Sequence, residues 1–449
     1  MKTNLSKSFN IKALLKFALP SILMMMLFSL YTIVDGIFIS NYIGTTALGA
    51  LNIIYPFQCL CIGMAIMIAS GGSAIVAKKL GEHDDLKARS LFTMFVVVEI
   101  IASIIMLTIG LALAKPIVKV LGTSEAQMPY ALKYFRIYLA FLPFIFLQNT
   151  FQTLFVTAEK PHLGLILIIC AGISNIFLDY LFLDICNLGM EGPALGTTIS
   201  CMIPSLFGLF YFLFNHKGNL YFTKFSFRFR YIKEACFNGS SEMVTNLANA
   251  ISTFLFNYQC MKFYSDDGVA AITIILYFQF LLSAIFFGYS MGVAPIFSYK
   301  YGSGNKKELK RSFLNSLIIV EIIAVISFSL SFLLIKPVSK MFAGDSLNVY
   351  QIVLKGFKYY SPAFLLFGTS IFASSFFTAL SNGLYSAIIS FSRTILFLSI
   401  SLICLPLILG KTGIWLSVPV AEAIGVLVSI IFLAKGKKKY LDENKNIPA

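Results

Sequence analysis

The sequence predicts an all-α integral membrane protein, with twelve transmembrane helices in two pseudo-symmetric six-helix bundles arranged as parallel repeats. Three observations predict it. Of 449 residues, 58% are hydrophobic and only 12% charged, against about a quarter charged in an ordinary soluble chain. Apolar runs long enough to cross a bilayer, at about 20 residues each, recur twelve times. The second half also repeats features of the first at an offset of 221 residues.

The same composition excludes a soluble globular enzyme, a disordered chain, collagen and a disulfide scaffold. The eight cysteines form no CxxC pair and mostly sit inside apolar runs, where a thiol behaves as a small hydrophobe. His83, His162 and His216 lie far apart in polar connectors, so no metal site is expected. Lys2, Lys7, Lys12 and Lys16 precede an apolar run too long for a signal-peptide core. It reads as an uncleaved first span.

The twelve spans fall near 13–40, 47–77, 90–114, 130–157, 163–183, 193–214, 235–261, 269–298, 312–335, 350–379, 384–409 and 413–434. A helix satisfies its own backbone polar groups in lipid, which makes it the default for each. Most of the 35 Lys and Arg lie on the segments that share a side with the N-terminus. By the positive-inside rule both termini are then cytoplasmic, in a multi-pass protein of the cell membrane. The net charge of +15 is thus mostly a topology signal, with membrane lipids as its partners and no nucleic acid.

At the 221-residue offset, Phe57-Gln58 meets Phe278-Gln279, Gly71 meets Gly292, Gly81 meets Gly302, and Pro116 meets Pro337. A slip of one aligns Glu99-Ile100-Ile101 with Glu321-Ile322-Ile323. Matched Gly, Pro and charged positions at one offset indicate duplication. With six spans per half, both halves enter the membrane from the same side. The expected division is an N-terminal lobe at 1–214, a basic cytoplasmic linker at 215–232, a C-terminal lobe at 233–435 and a cytoplasmic tail at 436–449.

Ionisable residues at membrane depth cost at least ~2.5 kcal/mol each on insertion scales and need a reason. Asp35 and Asp179 stand a few residues before the outer ends of spans one and five, and Thr197 and Thr198 just inside the outer start of span six. All lie at a similar depth. Asn175 precedes Asp179 by four positions and shares its helix face. These residues predict a polar nest in the first lobe that takes a proton or holds a cation such as Na⁺, because two close, poorly solvated carboxylates cannot both stay charged cheaply. The plainer alternative is two unrelated acids snorkelling near the headgroups.

Glu99 and Glu321, at matched repeat positions, either share a duplicated function or seal structural hydrogen bonds between helices; the structural reading is preferred. Arg393 and Glu422, near the middle of spans eleven and twelve, are expected to form a structural ion pair. Glu242, near the start of span seven with Asn246, Asn249 and Asn257 in the same span, either caps the helix or faces the inner cavity as a second-lobe polar or substrate surface. Pro20 is a candidate bending point of span one. Aromatic residues and Met24 to Met26 either line an adaptable pocket for flat cations or simply pack.

Pro20, the run Tyr31-Thr32-Ile33-Val34-Asp35-Gly36-Ile37-Phe38-Ile39, Gly71-Gly72-Ser73-Ala74 leading to Lys79-Leu80-Gly81, and Asn175-Ile176-Phe177-Leu178-Asp179 closely resemble the multidrug and toxic compound extrusion (MATE) family. So do Glu191-Gly192-Pro193-Ala194-Leu195-Gly196-Thr197 and Gly413-Ile414-Trp415-Leu416. The likeness covers nearly the whole chain. It implies twelve helices in two lobes and an antiporter that expels organic cations in exchange for H⁺ or Na⁺, with no other cofactor. Matching the motifs carries the family's cation-coupling roles to Asp35, Asn175, Asp179 and Thr197, and its proposed bending proline to Pro20. Relatives that place Na⁺-linked acids at spans seven and ten are matched less well: span ten has no acid, and Glu242 sits near the start of span seven.

The sequence therefore reads as a secondary active exporter, expected to be monomeric, acting on amphipathic and often cationic small molecules. A lipid-linked precursor flippase or another solute carrier of the superfamily is the alternative. A pyrophosphate would call for a basic cavity, whereas Arg393 alone stands inside the membrane among six acids. No nucleophile and base pair or phosphate loop supports an enzyme.

Overall fold

The computed structural model describes residues 4–43, 45–125, 127–343 and 346–441, and these are helical with short turns and no strand. The first half comprises α1 (Ile11–Tyr42), α2 (Thr45–Gly81), α3 (Asp85–Ala112), α4 (Ala114–Val120), α5 (Met128–Ala140), α6 (Leu142–Thr157), α7 (Pro161–Tyr180) and α8 (Glu191–Phe214). After a connector at 215–228 follow α9 (Phe229–Asn238), α10 (Ser240–Gly302), α11 (Lys306–Ala343), α12 (Leu347–Tyr360), α13 (Phe367–Ala379), α14 (Gly383–Phe391), α15 (Leu398–Leu409) and α16 (Lys411–Gly436).

The elements resolve into the twelve expected spans once their breaks are read. α5 and α6 make span four, bent by 57° at Phe141. α12 and α13 make span ten across a 3₁₀ turn at Ser361–Leu365, and α14 and α15 make span eleven across a π-helical stretch at Ser392–Phe397. Prolines open several of these helices, Pro143 in α6 and Pro161 in α7, where the missing N–H would have no intrahelical partner. α10 has 63 residues, several times what a bilayer needs. It is two spans that reverse at Ser265, whose φ of 57° and ψ of −150° are non-helical.

Three details differ from the sequence reading. Spans seven and eight were expected to be separated by a connector at 262–268, whereas helix runs right up to the reversal at Ser265. Span seven begins at Ser240 rather than near 235, because Gly239 ends a separate amphipathic helix, α9, which straddles the expected boundary between 232 and 233. The segment after 435 starts with a docked turn, Lys437–Leu441, with Tyr440 and Leu441 buried; residues 442–449 lie outside the described residues.

The two halves meet along a seam whose matched glycines the duplication explains. A Cβ on Gly71 of α2 would collide with the Ala235 carbonyl, and one on Gly239 with the Met67 carbonyl. At the equivalent place a Cβ on Gly292 of α10 would stand 2.9 Å from the Cα of Ala18 of α1. Gly81 and Gly302 close the seam reciprocally: the first would strike the Tyr299 carbonyl and the second the Lys78 carbonyl. The N-terminal segment crosses this same face. Lys300 Nζ donates to the carbonyls of Ser6 and Lys7 at 2.9 and 2.7 Å, Asn315 donates to Phe9 O at 3.2 Å, and Leu5 is fully buried.

Candidate functional site

The polar nest is built by three helices of the first lobe. α1 supplies Asp35, α7 supplies Asn175 and Asp179 one turn apart, and α8 supplies Thr197. α7 and α8 pack closely because Gly196 has no side chain: a Cβ there would fall on Asp179 Oδ1. Gly172 of α7 lies against the Tyr31 ring of α1, where a Cβ would sit 3.4 Å from Cδ1. Small residues thus set the distances at which the polar side chains meet.

Asn175 and Asp179 are 1% and 0% exposed. Asn175 Nδ2 donates to Asp179 Oδ2 at 3.3 Å and reaches Thr197 Oγ1 at 3.4 Å. The carboxyl groups of Asp35 and Asp179 face each other within hydrogen-bonding reach, and the Thr197 hydroxyl also lies within reach of Asp35. One oxygen each of Asp35, Asn175 and Asp179 is buried without a hydrogen-bond partner. Oxygens gathered in this way, with no Lys or Arg in the nest, suit a proton or a small hard cation.

The walls include residues the sequence reading did not single out. Tyr134 of α5 lies near both acids, and its hydroxyl accepts from Gln58 Nε2 at 3.3 Å. Gln279, the repeat mate of Gln58, also meets a tyrosine hydroxyl, that of Tyr360. The repeated Phe-Gln pair was the available signal: a glutamine kept at matched depth in two apolar helices needs a partner in each lobe.

The remaining candidates are dispersed. Arg393 Nη1 donates to Glu422 Oε1 at 3.1 Å in a pair with side chains only 7% and 8% exposed. Glu321 is exposed at the helix surface and accepts from Thr369 Oγ1 at 2.7 Å. Glu99 is fully buried, and neither carboxyl oxygen has a hydrogen-bond partner among the described residues. The matched glutamates therefore occupy unlike surroundings. Glu242 is half-buried in the first turn of α10. Asn246 donates to the Glu242 carbonyl at 2.9 Å, with its Cβ 3.2 Å from where one on Gly63 of α2 would stand. Asn249 is exposed and Asn257 half-buried. Pro20 is buried within α1, which continues helically past it. Among the described residues no group of three or more His, Cys, Asp or Glu could hold a metal ion.

A family model described as MatE matches residues 20–181 and 243–403, well over half of the chain and one match per lobe. The chain belongs to the MatE family. It is therefore a member of a transporter family, with the all-helical, multi-pass architecture described above. This MatE chain is 22% identical over 438 residues to "Multidrug export protein MepA" of Staphylococcus saprophyticus, covering 95% of this chain and 94% of that protein. It is 20% identical over 425 residues to the protein of the same name from a bovine strain of Staphylococcus aureus, at 94% and 93% coverage. Among solved structures, an outward-facing MATE family transporter of the MOP superfamily superposes with a TM-score of 0.89 at 20% identity, over 96% of this chain and 97% of that one. A MOP superfamily transporter from Pyrococcus furiosus, described as having a binding pocket of reverse polarity that suggests a different function, superposes at 0.89 with 18% identity, over 97% and 98%. These likenesses carry the fold.

Proposed function

We propose that the protein is a secondary active multidrug exporter of the cell membrane. It moves amphipathic, often cationic compounds outward in exchange for inward H⁺ or Na⁺, with both termini cytoplasmic, and works as a monomer in contact with membrane lipids. The observation that carries this reading is the facing pair of Asp35 and Asp179 in a buried nest without a basic side chain. The pair is stable when a proton or small cation sits between the carboxyls, and it is strained when both are charged and bare. A nest that alternates between these states, on a helix that also contributes to the seam, links occupancy by the coupling ion to the arrangement of the lobes.

Asn175 and Thr197 complete the nest by holding Asp179 and offering oxygen atoms to the ion. Each proton entering down the gradients supplies ~2.3 kcal/mol per 100 mV and ~1.4 kcal/mol per pH unit. Export of one monovalent cation per proton uses the pH term alone, since the charge movements cancel. The repeated MepA name among the relatives supports the multidrug reading. Nothing observed favours the flippase alternative, because the guanidinium that would hold a pyrophosphate is engaged by Glu422.

The test is dye efflux from proteoliposomes with H⁺ and Na⁺ gradients imposed separately. Asp35→Asn and Asp179→Asn are expected to lose gradient-driven efflux by tenfold or more while inserting normally. Full-rate export by either variant would refute the coupling site.

A further inference from the structure

We propose that the second half of the connector between the lobes, with α9, is an interfacial anchor for anionic phospholipid. The connector is divided in two. Its first half belongs to the protein: Leu220 is buried, Arg89 donates to Asn219 O at 3.0 Å and to the Tyr221 hydroxyl at 2.8 Å, and Thr223 N donates to Thr93 Oγ1 at 3.0 Å. From Lys224 onward the large side chains turn outward. Phe225, Phe227 and Phe229 are 47%, 62% and 68% exposed. Lys224, Arg228 and Arg230, interleaved with them, are exposed too.

In an extended chain, side chains alternate between two faces. In the non-helical stretch up to Arg228, alternation puts the phenyls at 225 and 227 on one face and the bases at 224 and 228 on the other, and Phe229 and Arg230 open α9. Phe225 and Phe227 contact one another, with ring centroids 6.5 Å apart. α9 continues the pattern at helical spacing: Phe229, Lys233 and Phe237 fall on one stripe, all exposed, while Ala235 and Asn238 face the protein. Between His216 and Lys233 there are five Lys or Arg and no acid.

A row of exposed phenyls is unfavourable in water, and a run of uncompensated bases is unfavourable in hydrocarbon. Both are satisfied at the boundary of a bilayer whose headgroups are anionic, where rings enter the acyl region and guanidinium groups meet phosphates. Beside the start of the connector, an open, mainly aromatic groove of about 580 Å³ is lined by Phe207, Phe210 and Phe214 together with His216 and Lys217. This pairs acyl-chain and headgroup chemistry once more. The occupant is the phospholipid leaflet itself. Charge complementarity argues against a cationic or neutral partner, and the alternating phenyls argue against a purely soluble acidic one.

This inference rests on the reading of the chain as membrane-spanning, but not on its export chemistry, and the test separates the two. Phe227→Trp, compared with the parent and its single Trp415, is reconstituted as the full chain in phosphatidylcholine vesicles with and without phosphatidylglycerol. Quenching by shallow brominated phosphatidylcholine is then measured. The expected result is a blue-shifted, quenched signal from the new tryptophan, strengthened by phosphatidylglycerol. Replacing Lys224, Arg228 and Arg230 with Gln should remove that strengthening, at about fivefold in local lipid enrichment per charge. A water-like, unquenched signal in both membranes overturns the proposal, as does quenching indifferent to phosphatidylglycerol and to the three bases. Neither result depends on whether Asp35 and Asp179 couple transport.

Discussion

In the first lobe, a buried acid, Asp179, faces the half-buried Asp35. In the second, a buried acid faces Arg393. The halves share a backbone plan and a glycine seam, yet their polar interiors are balanced in opposite ways. The second lobe pairs its buried Glu422 with Arg393 internally, which suits a rigid partner. The first leaves one oxygen each of Asp35, Asn175 and Asp179 without a hydrogen-bond partner, which in the proposed function a cation or proton satisfies. Duplication thus preserved the glycine packing between the halves, while their buried polar groups diverged.

The sharpest way to probe this difference is to unbalance the second lobe. Arg393→Met leaves Glu422 buried without its partner and should destabilise the protein by about 3–5 kcal/mol in detergent unfolding, whereas Arg393→Met with Glu422→Leu should recover most of the loss. Breaking what the lobes share comes next. Gly302→Val drives a side chain into the Lys78 carbonyl and should cost about 1–3 kcal/mol. It should also raise protease accessibility near Gly81. Asn175→Ala removes the donor that holds Asp179, at about 1 kcal/mol in stability, with a clear rise in the coupling-ion concentration needed for half-maximal efflux. The smallest effect is expected at Ser265, whose φ of 57° is a backbone region favoured by glycine. Ser265→Gly should leave efflux unchanged and stabilise by about 1 kcal/mol.

Much of this was legible because a membrane makes charge conspicuous. Asp35, Asn175, Asp179 and Thr197 stood out as polar groups at one depth, and the twelve spans followed from hydropathy and the repeat. Other features have no one-dimensional signature. The glycines at 71, 81, 292 and 302 were visible as repeats, but their purpose appears only when the backbones of opposite halves touch. The reversal, by contrast, falls in the run Ser265-Asp266-Asp267-Gly268, whose turn residues marked the connector, and α9 was taken into span seven although Asn238-Gly239-Ser240-Ser241 stands between them. Glu99 and Glu321 align in sequence yet differ in burial, since burial depends on which helices pack around each position.

Proton or Na⁺ release on substrate binding, measured in weakly buffered detergent solution, bears most directly on the claim that the first-lobe nest is the coupling site. The account predicts ion release when a cationic dye binds the parent protein and none when it binds the Asp35→Asn, Asp179→Asn double variant. Equal release from both proteins would contradict it.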